Sequence, residues 1–183
     1  MRSAGVYAWY FREVPDTVPT GGCLQAHGLA LLYVGIAPRH PPTSGAHPSG
    51  QTLRHRLRNH YRGNAAGSTL RLTLGVLLGL ELRRVGSGKR MTFAAHEQDL
   101  SAWMAENAWV AWIEHAEPWA LEARLLREIS LPLNLDQNHH HPFHATLTVL
   151  RRDAKARARK LLHLLTSPPG YDAEGSPDRR WFC

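Results

Sequence analysis

The side chains able to do chemistry gather at a few places in this 183-residue chain. On a helical wheel of Glu117 to Ile129, Leu121, Leu125, Leu126 and Ile129 form an apolar arc with Glu122 inside it, while Arg124, Arg127 and Glu128 share the opposite face. A carboxylate in apolar surroundings is costly without a compensating cation or hydrogen-bond donors. Glu122 therefore calls for either an arginine in a structural salt bridge or a divalent metal on the floor of a cleft. Leu53, Leu57 and Tyr61 form the inner stripe of a second helix, and Arg56 and His60 flank that stripe together. Arg54, Arg58 and Arg62 lie on its other side, as solvated charges or as contacts to a phosphate backbone. Asn134, in Pro132-Leu133-Asn134, places a side-chain amide in irregular backbone, suited to anchoring a loop or a substrate. His139, His140, His141 and His144 invite a zinc reading, but consecutive residues cannot all aim at one ion and no cysteine pair lies nearby. A polar loop with one or two histidines facing DNA is the more economical account.

The elements that must hold these groups follow from periodicity. Val6 to Phe11 and Leu29 to Ile36 are rich in β-branched and aromatic residues and predict two strands of an antiparallel hairpin, joined by a long exposed Pro- and Gly-containing loop over 12–28. Prolines and glycines over 37–50 break regular structure, after which Ser49 or Thr52 caps a helix through about Tyr61. Thr69 to Leu82 predicts a helix weakened by Gly75 and Gly79, whose spacing permits close packing. Glu97 to Asn107 predicts a helix, Ala108 to His115 a third strand, and Glu117 with Pro118 opens the helix that carries Glu122. Leu131 to His144 reads as irregular and Ala145 to Leu165 as a C-terminal helix. The expected organisation is one domain over 1–165, with inserts at 12–28 and 37–50, and a flexible tail over 166–183.

Composition bounds the function. With 43% hydrophobic and 20% charged residues the chain should fold, and no apolar run approaches the ~20 residues needed to cross a bilayer. Two cysteines near opposite ends exclude a disulfide framework, and the expected location is the cytoplasm. A net charge of +7 favours polyanions. The charge is segregated: residues 51–90 hold nine Arg or Lys against Glu81 alone, whereas 97–128 hold seven acids against Arg124 and Arg127. Arg151, Arg152, Lys155, Arg157, Arg159 and Lys160 add a basic cluster on the C-terminal helix, as solvated surface or phosphate contacts.

Gly5-Val6-Tyr7 on the first strand, Tyr33-Val34-Gly35 on the second, Arg56, Glu122 and Asn134 occur in an order that resembles the GIY-YIG nuclease superfamily. His60, four residues after Arg56, resembles the pattern of its restriction-endonuclease-like members. Valine replaces isoleucine in both tripeptides, and the hairpin loop is longer than in compact members. The resemblance implies an α/β (α+β) domain with a three-stranded antiparallel sheet flanked by helices, and a divalent-metal-dependent DNA endonuclease working with one Mg²⁺ or Mn²⁺ ion on Glu122. It further implies that Arg56 meets the scissile phosphate, that Tyr7 or Tyr33 is the general base with a phenol pKa lowered by cations, that His60 orients it, and that Asn134 fixes local geometry. Tyr7 and Tyr33 must then share one face of the sheet. Strict alternation puts Leu29, Leu31, Tyr33 and Gly35 on a single side of their strand. DNA is the implied partner, with a homodimer if the target is symmetric. The alternative is a non-catalytic DNA-binding accessory protein with the same fold.

Overall fold

Tyr7, Trp9 and Phe11 face one way from the first strand while Ala8 and Tyr10 face the other, and both sets are packed. Such a strand belongs in the middle of a covered sheet. The computed structural model describes residues 3–39, 50–86 and 88–161, with the backbone of 181–182. In chain order the elements are β1 (Gly5–Phe11), β2 (Gln25–Ala26), β3 (Leu29–Ala37), α1 (Leu53–Arg62), α2 (Thr69–Leu77), β4 (Arg83–Arg84), β5 (Met91–Thr92), α3 (His96–Asn107), β6 (Ala108–Glu114), α4 (Pro118–Glu128), α5 (His144–Lys160) and β7 (Trp181–Phe182). The main sheet runs β2-β3-β1-β6-β7. Its centre is the expected antiparallel trio β3-β1-β6. Two-residue strands extend it at either edge, β2 antiparallel to β3 and β7 parallel to β6.

The two faces of the sheet are covered differently. Tyr7, Trp9, Phe11 and Tyr33 pack in the larger core with Leu53 and Leu57 of α1, Leu70 and Leu74 of α2, Leu100 and Met104 of α3, and Leu147 of α5. On the opposite face Leu31 and Val34 meet Leu126 of α4, with Ala8, Tyr10, Leu125 and Ile129 around them. Strict alternation along β3 fails at one point. Trp9 pairs with Tyr33 but Tyr10 pairs with Leu31, so Leu32 is an extra residue. This bulge puts Leu32 and Tyr33 in the same core and sends Leu31 to the other side, contrary to the expected grouping of Leu31 with Tyr33. Tyr33, paired with Trp9 ahead of the bulge, lies on the Tyr7 face.

Helix ends follow local chemistry. Thr52 Oγ1 accepts from the His55 N–H to start α1, and Ser68 Oγ accepts from the Arg71 N–H to start α2. α2 ends at Leu77, short of the expected Leu82. Gly79 has φ +74°, its N–H donates to Val76 O, and the Leu80 N–H donates to Gly75 O, a Schellman stop. Gly75 itself lies against Phe93, whose ring atoms would be 2.2 Å from any Cβ there. α5 spans His144–Lys160; the expected extension to Leu165, most of the tail and residues 40–49 of the second insert lie outside the described residues. The first insert is not wholly exposed, since Val18 and the free Cys23 are buried in the core.

A buried ion pair locks the helices together. Arg71, fully buried, bonds Glu97 Oε2 at 2.9 Å and donates also to the carbonyls of His60, Tyr61 and Glu97. The other oxygen, Glu97 Oε1, accepts from the Ala65 and Phe93 N–H groups and the Thr92 hydroxyl. Glu97→Ala strands the Arg71 charge in the core and should cost about 3–5 kcal/mol, read from urea unfolding; a loss below about 1 kcal/mol would contradict the assigned role of this pair.

Candidate active site

Tyr7 stands at the centre of β1 over Gly35 of β3, its cross-strand partner. A Cβ at Gly35 would lie 2.5 Å from the Tyr7 hydroxyl. The glycine of the second tripeptide is thus required by close approach of the phenol. Two residues earlier on β1, a Cβ at Gly5 would meet Ile113 O at 2.1 Å, so the glycine of the first tripeptide lets β6 pack tightly.

α1 delivers Arg56 and His60 to this face, both buried as their flanking positions predict. His60 Nε2 is 2.8 Å from the Tyr7 hydroxyl oxygen, and its Nδ1 is 2.7 Å from Ser68 Oγ. The rings of Tyr7, Trp9 and Tyr33 surround the imidazole at 5.3, 5.9 and 6.0 Å between centroids. Burial, with Arg56 and Arg71 nearby, lowers the pKa of His60 to about 3, so the ring is neutral. The Tyr33 hydroxyl reaches Thr69 Oγ1 at 3.4 Å, and its ring lies 6.5 Å from that of Tyr7.

The phenols do not have the lowered pKa that the resemblance implied. Burial pushes Tyr7 well above the ordinary phenol value; Tyr33 and Glu122 push the same way, against Arg56. Burial likewise raises Tyr33, opposed by Thr69 and Arg56. One guanidinium does not offset the desolvation of two phenols. Burial opposes the charge on Arg56, but Tyr7, Tyr33 and Glu122 outweigh it and hold the guanidinium more firmly protonated. Arg56 Nε is buried with no hydrogen-bond partner among the described residues.

Glu122 lies within electrostatic reach of Tyr7, Tyr33 and Arg56. It is half-buried, not sunk in the apolar face as the wheel suggested, because Leu126, one turn on, makes the buried contact of α4. Asn134 resolves to loop anchoring: its Oδ1 accepts from the Val34 N–H at 2.9 Å and its Nδ2 donates to Val34 O at 2.8 Å. With Leu133 N–H donating to Leu32 O, it completes the edge of β3 beyond the reach of β2. The outer arginines of α1, Arg54, Arg58 and Arg62, are exposed.

The histidine cluster does not converge. His141 bonds Ser130 Oγ through Nε2 and accepts the Phe143 N–H, while His139 and His144 meet ring to ring. Among the described residues no three His, Cys, Asp or Glu side chains are grouped to hold a metal ion. Sequence reasoning overlooked Ser68, Thr69, Arg71 and Glu97. A serine preceding an apolar helical run is a capping signal, and it would have pointed to Ser68.

The sequence profile described as the GIY-YIG catalytic domain matches residues 5–153. Neither the curated proteins nor the solved structures give a match.

The neutral His60 has a pH consequence. Between about 3 and 6.5 the unfolded chain binds a proton that the folded one refuses, so this contribution to stability is complete above about 6.5 and is lost as pH falls toward 3, at up to ~1.4 kcal/mol per pH unit. Urea midpoints across pH 3–7 should fall less steeply in His60→Gln than in the unsubstituted protein. Identical slopes would show that His60 titrates as it does in water.

Proposed function

The chain belongs to the GIY-YIG catalytic domain family, a family of DNA nucleases, and from that premise we propose that it is a DNA endonuclease that hydrolyses phosphodiester bonds with one divalent ion. The observation that carries this reading is Arg56: a buried guanidinium whose Nε has no partner, beside the Tyr7–His60 pair and within reach of Glu122. A buried donor left without a partner is expensive. A phosphate beside the guanidinium would add acceptors for it.

The donor set suits Mg²⁺ or Mn²⁺. A hard cation takes oxygen ligands and keeps several waters, so one partly exposed carboxylate, Glu122, joined by a substrate phosphate would hold it. Bound there, the ion supplies Lewis-acid stabilisation of the charge that develops on the phosphate and on the leaving 3′ oxygen. Arg56 donates to the scissile phosphate and stabilises the same charge. Tyr7 takes the proton of the attacking water. Its raised pKa means that it becomes a base only when cations approach it. His60 is the positioning residue. With Ser68 donating to Nδ1, its neutral ring carries the proton on Nε2 and gives it as a hydrogen bond to the Tyr7 oxygen, favouring the phenolate. Tyr33, tied to Thr69, is the second phenol at the phosphate, and Asn134 holds β3 in register beneath it. Arg54, Arg58 and Arg62 meet the flanking DNA backbone.

Plasmid and branched DNAs incubated with Mg²⁺ or Mn²⁺ should be nicked. Glu122→Gln should abolish cleavage while leaving DNA affinity within a few-fold, and Arg56→Lys should lower the single-turnover rate about 10²–10³-fold. Tight binding with no metal-stimulated cleavage by the unsubstituted protein would overturn the catalytic reading and leave a DNA-binding accessory protein.

A further inference from the structure

Arg151 lies on the core-facing side of α5. It lies one turn beyond Leu147, which packs in the same core as Tyr7 and Tyr33, so the two side chains share a face of the helix. Its Nε is buried with no hydrogen-bond partner among the described residues. Asp136 and Tyr33 are within electrostatic reach and favour its charge, although burial opposes it more strongly. The guanidinium thus sits at the flank of the site, next to the second phenol.

From there a line of cations leads outward. Lys155 and Arg159 follow Arg151 at intervals of four residues, each step advancing about 6 Å along the axis and about 40° around it. Lys155 is half-buried and Arg159 exposed. Lys155 feels both neighbours: burial, then Arg151 and Arg159, make its ammonium harder to protonate. Three cations that raise one another's energy in this way call for an anion to separate them. The line is about 12 Å long, matching the axial rise of about three to four phosphates on one DNA strand. Arg157 and Lys160 lie on another side of the helix, where they line a groove with Gly79, Leu80 and Leu82.

We propose that Arg151, Lys155 and Arg159 form a phosphate-binding track that holds the DNA backbone as it leaves the site past Tyr33. The track rests on the DNA-cleaving reading and adds a second basic surface to the outer face of α1. It fixes the strand's direction across the cleft and carries no base readout, because contacts to phosphate position a duplex without reading its sequence.

The test is DNA binding by the full chain in EDTA, with a labelled duplex and 50–200 mM salt. Lys155→Gln/Arg159→Gln should weaken binding at least tenfold at 100 mM salt and reduce the slope of log K against log salt by about 2, at about 0.9 per phosphate contact. The charge-matched pair Arg157→Gln/Lys160→Gln should leave the slope within about 0.5 of the unsubstituted value, on the same scale. Arg151→Gln, checked for folding by circular dichroism, should lower the slope by about 1. Equal losses in the two double variants, or no loss in the first, would overturn the track while leaving the nuclease reading intact. An unsubstituted protein that does not bind DNA would overturn both.

Discussion

The contact between the Tyr7 hydroxyl and His60 Nε2 is the constraint around which the rest is arranged. It joins the central strand to α1 through the interior, where a polar atom without a partner is expensive. Satisfying the far nitrogen of the ring requires Ser68, which also caps α2. The same helix start carries Arg71, whose guanidinium holds the last carbonyls of α1 and reaches Glu97 at the start of α3. An unbroken polar line thus runs from the sheet through three helices. Moving any member shifts the phenol. The apolar core supplies the driving force for collapse, but this line sets which way the helices turn.

The charge distribution follows from the same packing. Two phenols and a neutral imidazole lie near the Arg56 guanidinium, Glu122 is within its electrostatic reach, and Arg71 also acts on the imidazole. Desolvation works against every charged state here, and only for Arg56 do the neighbours Tyr7, Tyr33 and Glu122 outweigh it. In the proposed nuclease reading, a phosphate approaching the guanidinium would change that balance by placing acceptors beside the cation. On that reading the site is pre-organised for incoming negative charge, and Tyr7 becomes a base only as further positive charge arrives.

Much of this was legible in the sequence. Strand and helix types came from period and composition, and Arg56 and His60 declared themselves by standing four apart beside an apolar stripe. What escaped depends on three-dimensional packing. The bulge at Leu32 breaks the period-2 rule on which the face of Leu31 was assigned, and no local signal marks it. Gly79 counted as a weak helix former, although its value lies in a left-handed φ that ends the helix. Glu97 read as one member of an acidic run, yet it is the partner of a buried arginine. The direction of the tyrosine shift depends on how deeply the rings are buried, which sequence spacing does not reveal.

Glu97 and Glu122 show how the environment separates two carboxylates into different roles. Both oxygens of Glu97 are occupied, by the Arg71 guanidinium, two backbone N–H groups and a threonine hydroxyl, and its side chain is only 12% exposed. An ion arriving there would have to displace donors already well placed, with the cost of leaving them unpaired in the core. Glu122 sits where α4 leaves the apolar interface, with Leu126 doing the burying one turn later. It keeps a solvent-facing side while remaining within the field of Arg56 and both phenols. Exchange of water for a phosphate oxygen requires such access. In the proposed nuclease reading, the partly exposed position that departs from the helical wheel is the one at which an ion and its substrate would enter together, whereas Glu97, with both oxygens bonded, holds the fold.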